Sequence, residues 1–552
     1  MTTTTVSIGT RTTTVDTETP ASSSGSGPLY TVTFGAIPAG IAVGDMGFMD
    51  TQDAGGGSPS DYEFVVTVIS GANITLKYLR DTGSKGDHSP LGLYTGAGSS
   101  GSPTQAAMVF KRHGLPTSSA DGAAPSYVVT FSDAGPPADS DVGDIAFVTS
   151  EEASSNYEYL ITAIDLSAKT VTMKYVQDSA AAGDASPYGM INSDTTQAVI
   201  EFRRAFSTIT LFEGMVDDAS PIYWGSSDDV VGECHGDSPF TDDSRVQFTS
   251  KQSLASVKLT VHEDDRHDGK AGTEGKVVIR PTAYATGYRG IIEVNIDNFI
   301  LEWVEIDLTD TDTTKAIFLI GANDDNIIRN NIIHSRTGNP TNYPVFAIHY
   351  SGTSASADTM SILNNIIYDI RETASDTGNG INVNGWRGTV NIYNNTVHNI
   401  EGDDSSSTKP ATGFRFNGHA TQVANVKNNI ASQMIADASD GHRAYFDTGT
   451  GTSNVDYNLS DDTTNATYEA QGANSIIDAT AAEIAFVSTG IGTEDLRLDT
   501  DSVCIKAGVD LGSANGVNID INGVDRHATG VTWDIGADQT TDYLSAFLLS
   551  MI

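Results

Sequence analysis

Two kinds of side chain in this sequence could act on or hold a ligand: carboxylates grouped closely enough to serve as acid and base, and aromatics placed to lie against a sugar. Glu302, Glu305 and Asp307 share one short run, Asp324 and Asp325 a turn, and Glu372 and Asp376 a loop. Two carboxyl groups roughly 5 to 9.5 Å apart, one protonated and one ionised, are the apparatus of glycoside hydrolysis. With 71 acidic residues in 552, closeness in sequence is weak grounds for such a pair, and no catalytic residue is assigned. Basic groups that could neutralise a uronate are sparse here, which argues against a lyase. Trp303, Tyr343, Tyr350, Trp386 and Tyr393 lie on or beside the same runs. Trp386, in the turn NGWRG, is expected at the surface, and Trp386, Arg387, Tyr350 and Tyr393 form the candidate glycan-binding set. The competing account packs these rings on one another or into a subunit interface.

The stretch from His262 to Gly269, HEDDRHDG, offers imidazoles and carboxylates suited to a metal. Neighbours on one loop do not by themselves converge on an ion, so neither metal nor cofactor is expected. No Ser/His/Asp or Cys/His arrangement, phosphate loop or dinucleotide fingerprint is readable.

The elements that must carry these groups announce themselves by repetition. Asn330-Asn331, Asn364-Asn365, Asn394-Asn395 and Asn428-Asn429 recur 34, 30 and 34 residues apart, each within an alternating apolar and polar run. Weaker copies start at Asn298 and Asn454, and a second strand per repeat is read at Ala316, Val345, Gly380, Gly413 and Arg443. Short strands at such a period, with no helical periodicity, predict a parallel β-helix whose coils complete one another's core. Asparagine at matching turns tolerates the left-handed backbone region and can hydrogen-bond along the stack, so the doublets read as scaffold.

Upstream the sequence is duplicated over residues 28–112 and 125–204. Val43-Gly44-Asp45 matches Val142-Gly143-Asp144, Tyr62-Glu63 matches Tyr157-Glu158, and Phe110-Lys111-Arg112 matches Phe202-Arg203-Arg204. Each copy predicts a small antiparallel β-sandwich or barrel. Residues 1–27 are read as an N-terminal arm, 113–124 as a linker, 205–540 as the β-helix and 541–552 as an apolar tail. The fold class is therefore all-β.

The net charge of −41 makes nucleic acid an improbable partner. Two cysteines, Cys234 and Cys504, give no disulfide framework. The opening MTTTTVSIGTRTTTV lacks the features of a signal peptide, and no apolar run reaches membrane-spanning length.

RRAFSTITLFEGMVDD from Arg203, VVGECHGDSPFTDD from Val230 and HEDDRHDGKAGTEGKVVIRP from His262 resemble the first coils of right-handed parallel β-helix virion proteins of tailed bacteriophages. DLRLDTDSVCIKAGVDLG from Asp495 and DINGVDRHATGVTWDIGADQ from Asp520 resemble the terminal signature of such proteins. The two modules in front and the lack of a sizeable domain behind depart from the longer tailspikes. The resemblance implies a right-handed helix, a homotrimer, and a virion structural protein made in the host cytoplasm. Its partners would be other capsid or tail proteins and, as a further possibility, host-surface polysaccharide. A capsid decoration or cement protein or a projecting spike is the leading reading. A tailspike depolymerase and a bacterial surface adhesin are the alternatives.

Overall fold

The computed structural model describes most of residues 2–540. Outside the described residues lie 541–552 and intervals that include 52–59, 82–88, 96–103, 336–343, 353–358, 403–409, 436–441 and 462–471. The chain divides into two compact units, one of Thr4–Ser207 and the other chiefly from Thr208 onward.

In the first unit the duplication appears as two seven-stranded antiparallel sheets with the same strand order. Thr14–Glu18 lies at one edge of the first sheet and Pro20–Ser26 at the other, although one residue separates them in sequence. A chain that leaves one edge and at once joins the other closes the sheet on itself, so each copy is a small barrel. The second barrel closes in the same way, with His113–Gly114 and Pro116–Asp121 on either side of Leu115. Both closures slip register at the proline, between Pro20 and Ser22 and between Pro116 and Ser118, where a residue without an amide hydrogen is tolerated. The stretches read as arm and linker thus contain the closing strands. Their Ser, Gly and Pro content reflects a bulged edge rather than a free tether.

The repeated landmarks also acquire a cause. Arg112 binds the fully buried Asp45, and Arg204 binds the fully buried Asp144 at 3.1 Å and Asp141 at 2.6 Å. The Val-Gly-Asp and Phe-x-Arg motifs, some sixty residues apart, are the two halves of one internal ion pair used twice. The glycines of those motifs share φ +97°, and each admits a backbone where a Cβ would collide: a Cβ on Gly44 would stand 2.5 Å from Pro136 O, and one on Gly143 2.9 Å from Ser7 N.

The second unit holds a parallel β-solenoid of about six turns over residues 229–460, in agreement with the expected fold class. Each complete coil supplies three strands to three parallel sheets, as in Thr359–Leu363, Ile366–Arg371 and Gly378–Asn384. Inward residues stack in register, for instance Ile328, Ile362, Ile392 and Val426, all buried. The helix Ile209–Asp217, capped by Thr208 Oγ1 accepting from Leu211 N, precedes the first coil and sets Phe212 against Phe248 and Trp224.

The doublets sit at the corner between the first and second faces, and their two asparagines do different work. Asn330, Asn364, Asn394 and Asn428 adopt φ of 54 to 57°, a left-handed corner that Trp303 and Tyr457 take in the flanking coils. Asn331, Asn365, Asn395, Asn429 and Asn458 point inward, each of the first four donating its side-chain amide to the next Asn Oδ1 at 2.9 to 3.0 Å and Asn458 donating to Val426 O at 2.8 Å. This continuous buried ladder satisfies the polar groups that a tight corner would otherwise strand.

The coil pattern expected to reach residue 540 ends earlier. Beyond 476 the chain runs back along the doublet corner as a strap. Asn428 donates to Val509 O, Asn394 to Val517 O, Asn364 to Ile519 O at 2.8 Å and Asn330 to Ile519 O at 3.2 Å. The left-handed asparagines therefore clasp the returning strap while their neighbours build the ladder.

Candidate functional site

The aromatic set does not form a sugar-binding platform. Trp386 is fully buried, and its ring meets that of the buried Tyr350, on the preceding coil, edge-on at 4.7 Å. Tyr350 donates its hydroxyl to Gly321 O at 2.6 Å. The turn does not expose its tryptophan because the space between successive coil corners accepts a whole indole. Tyr393 is half-buried beside Leu363, Val517 and Trp533 beneath the strap, and Arg387 is half-buried. Trp303 is buried with His267 at 5.8 Å and the Arg266 guanidinium over its ring at 5.0 Å. Tyr343 lies outside the described residues.

The carboxylates of the Glu302 run are likewise committed inward. Glu302 accepts from Thr260 at 2.8 Å and Arg329 Nε at 2.7 Å, and is bound by Lys258. Burial opposes its charge, but Arg329 and Lys258 outweigh it and hold the carboxyl below the usual range. Glu305 spans the Gly272 amide and His334 Nε2, the latter at 3.0 Å. Asp307 accepts from Arg280 at 2.7 Å and Thr309 Oγ1 at 2.6 Å, and despite burial its carboxyl is held low. A catalytic acid must keep a proton near neutrality, and Glu302 and Asp307 are tuned the opposite way. Asp324 and Asp376 lie outside the described residues, and Glu372 is buried.

What the solenoid does bring together is a histidine pair that the sequence kept apart. Strands Asp229–Cys234 and Ser256–Val261 pair in parallel with Cys234 opposite Val261, so the next residues, His235 and His262, stack one coil apart. Their rings lie 5.0 Å apart at 23°. The 3-10 turn Glu263–Asp265 then directs Asp265 back toward the pair, with His235 Nδ1 3.4 Å from Asp265 Oδ2. One ligand atom from each of the three lies within 4.8 Å of the others, the one such grouping of His, Cys, Asp and Glu among the described residues. Burial opposes the charge on Asp265, but His235 and the Gly236 amide bring its carboxyl below the ordinary range. Its backbone is pinned on both sides, N to His262 O at 2.9 Å and O to Val277 N at 3.2 Å.

For the stretch His262–Gly269 the sequence predicts no metal; the structure groups two of its residues, His262 and Asp265, with His235 from the preceding coil. The missing signal was spacing: VVGEC before His235 and VKLTV before His262 are strands of equal reach, 27 residues apart. Elsewhere on the first face a shallow polar cleft of about 400 Å³ is lined by Ser256, Asn298, Asn326, Ser361 and Asn515 among others.

Comparison of the chain with protein-family models, with curated proteins and with solved structures found no match in any of the three.

Proposed function

We propose that this chain is a structural protein of the surface of a tailed-phage virion, a decoration or spike protein without hydrolytic activity. The tandem barrels would supply attachment to capsid or tail proteins, and three copies would associate through their solenoids. The observation that carries the non-enzymatic part is the commitment of Glu302, Glu305 and Asp307 to internal cationic and amide partners. The virion assignment rests on the likeness of the first coils and the terminal strap to phage β-helices, and a duplicated domain adds avidity more readily than chemistry. With Trp386 buried, host polysaccharide loses its best anchor, which favours partners within the particle over a host glycan.

Labelling an epitope in the barrels and imaging intact virions and isolated tails tests this reading. Label over the head makes the chain a decoration protein, and label on the tail makes it a spike. Particles that carry no label overturn the virion assignment. Release of sugar fragments from host surface polysaccharide by the purified protein overturns the non-enzymatic part.

A further inference from the structure

We propose that His235, His262 and Asp265 form a binding site for a divalent transition metal, Zn²⁺ by donor chemistry, which staples the first two coils of the solenoid. Two imidazoles and one carboxylate are borderline donors that suit Zn²⁺ and its first-row neighbours, whereas Ca²⁺ and Mg²⁺ take oxygen almost exclusively.

The separations fit. Tetrahedral bonds of about 2.0 to 2.1 Å place donor atoms about 3.4 Å apart, which is the His235 Nδ1 to Asp265 Oδ2 distance. The widest donor separation in the group is no more than 4.8 Å, and rotation of the half-buried His262 closes the remainder. His235 is nearly fully buried while Asp265 is a quarter exposed, so an ion would enter past the carboxylate and keep a solvent position as its fourth ligand.

The surroundings hold the donors in place. Residue 236 is glycine where a Cβ would stand 2.2 Å from Gly275 O and 3.3 Å from Asp265 Oδ1. The absent side chain lets the Gly236 amide reach Asp265 and leaves the carboxylate its second oxygen for an ion, an arrangement that typically fixes a metal ligand. Glu263 and Asp264 on the same turn, and the overall charge of −41, favour a cation at this end of the solenoid. Because the ligands come from consecutive coils, the ion would tie together the strands Asp229–Cys234 and Ser256–Val261.

The test uses the full chain after dialysis against a chelator, titrated with Co²⁺ and Zn²⁺ and followed by the visible absorption of Co²⁺ and by calorimetry. We expect one ion per chain, Co²⁺ displaced by Zn²⁺ but not by Ca²⁺, and a higher melting temperature when loaded. Asp265→Asn and His262→Ala should each weaken uptake by about 100-fold, the upper end of what losing even a supporting contact does. His419→Ala, at an exposed histidine elsewhere, should leave uptake unchanged. Circular dichroism confirms that each variant keeps its strand content. Absence of stoichiometric uptake by the wild-type chain, preference for Ca²⁺, or unchanged uptake in a folded Asp265→Asn protein overturns the site. None of these results depends on the virion assignment.

Discussion

The inward and outward asparagines of one doublet are the sharpest test at the residue scale. Asn395 is buried, donates to Ile362 O at 2.9 Å and Asn429 Oδ1 at 3.0 Å, and accepts from the backbone and side chain of Asn365. Asn395→Ala strands those buried partners, at about 1 to 3 kcal/mol for each group left unsatisfied. Asn394→Gly keeps the left-handed corner, which glycine adopts freely, and loses only the strap bond to Val517 O at 3.2 Å. Chemical denaturation should show the first variant several kcal/mol less stable and the second within about 1 kcal/mol of wild type. Equal losses would mean that the ladder adds nothing beyond the corner. Lys315 tests the cost of a buried charge. Its ammonium lies 4.2 Å from the Phe318 ring centre, and burial lowers its pKa to about 7. The unfolded chain holds that proton up to about 10.4, so the penalty is fully present below pH 7 and fades as pH rises toward 10.4. Lys315→Met should therefore stabilise at pH 6 by about 2 to 4 kcal/mol, with the gain vanishing near pH 10.

At the scale of elements, the strap behind the doublet corner is the part with most to reveal. Arg526 is fully buried at its heart, donating to Gly536 O and Ala537 O at 2.9 Å and to Gln539 Oε1 at 3.1 Å. Asp520 takes the amides of Asn522, Val524 and Gln539 at 2.7 to 2.9 Å. Removing one partner from such a buried network costs about 3 to 5 kcal/mol. Arg526→Met should release the strap while the coils stay folded. Hydrogen exchange would then rise over residues 505–540, and the inward ladder at Asn331 to Asn458 would remain protected. Simultaneous loss of both would show that the strap is integral to the coils.

What the sequence disclosed follows the same division. The coil strands and their corners were legible because a strand's alternation and a doublet's recurrence are local signals. The strap was not, because its bonds to Asn330 and Asn428 join residues 81 to 190 positions apart and mostly involve backbone carbonyls, which leave no trace in residue type. Trp386 was misplaced for a related reason: the turn was visible, but Tyr350 on the preceding coil, which covers it, was not. The barrels' closing strands were hidden by their own composition, since Ser-rich text around Pro20 and Pro116 reads as tether until the register slip is seen.

Across the solenoid unit as a whole, buried titrating groups oppose one another, and this sets how the molecule meets acid. Burial lowers His267 and His398 to about 4 and His349 to about 3. For these groups the unfolded chain binds protons first, so their contribution is complete above pH 6.5 and is lost as pH falls toward 4. Burial raises Asp538 to about 7, with Asp520 adding to the effect. There the folded chain binds the proton first, so stability is gained as pH falls from 7 toward 4. Replacing one member of each class separates the two slopes. His398→Asn keeps a polar atom for Ser432, which stands 2.8 Å from His398 Nδ1, and removes the acid penalty. Its stability relative to wild type should rise by about 3 kcal/mol between pH 7 and pH 4. Asp538→Asn removes the neutral-pH penalty, so its advantage should be greatest near pH 7 and fall by about 3 to 4 kcal/mol by pH 4. With these three histidines set against the one carboxyl of Asp538, wild type should lose stability toward pH 4, less steeply in His398→Asn and more steeply in Asp538→Asn. Denaturant midpoints measured at pH 7, 5.5 and 4 decide it: variant curves that run parallel to wild type would mean that these groups titrate alike in the folded and unfolded chain.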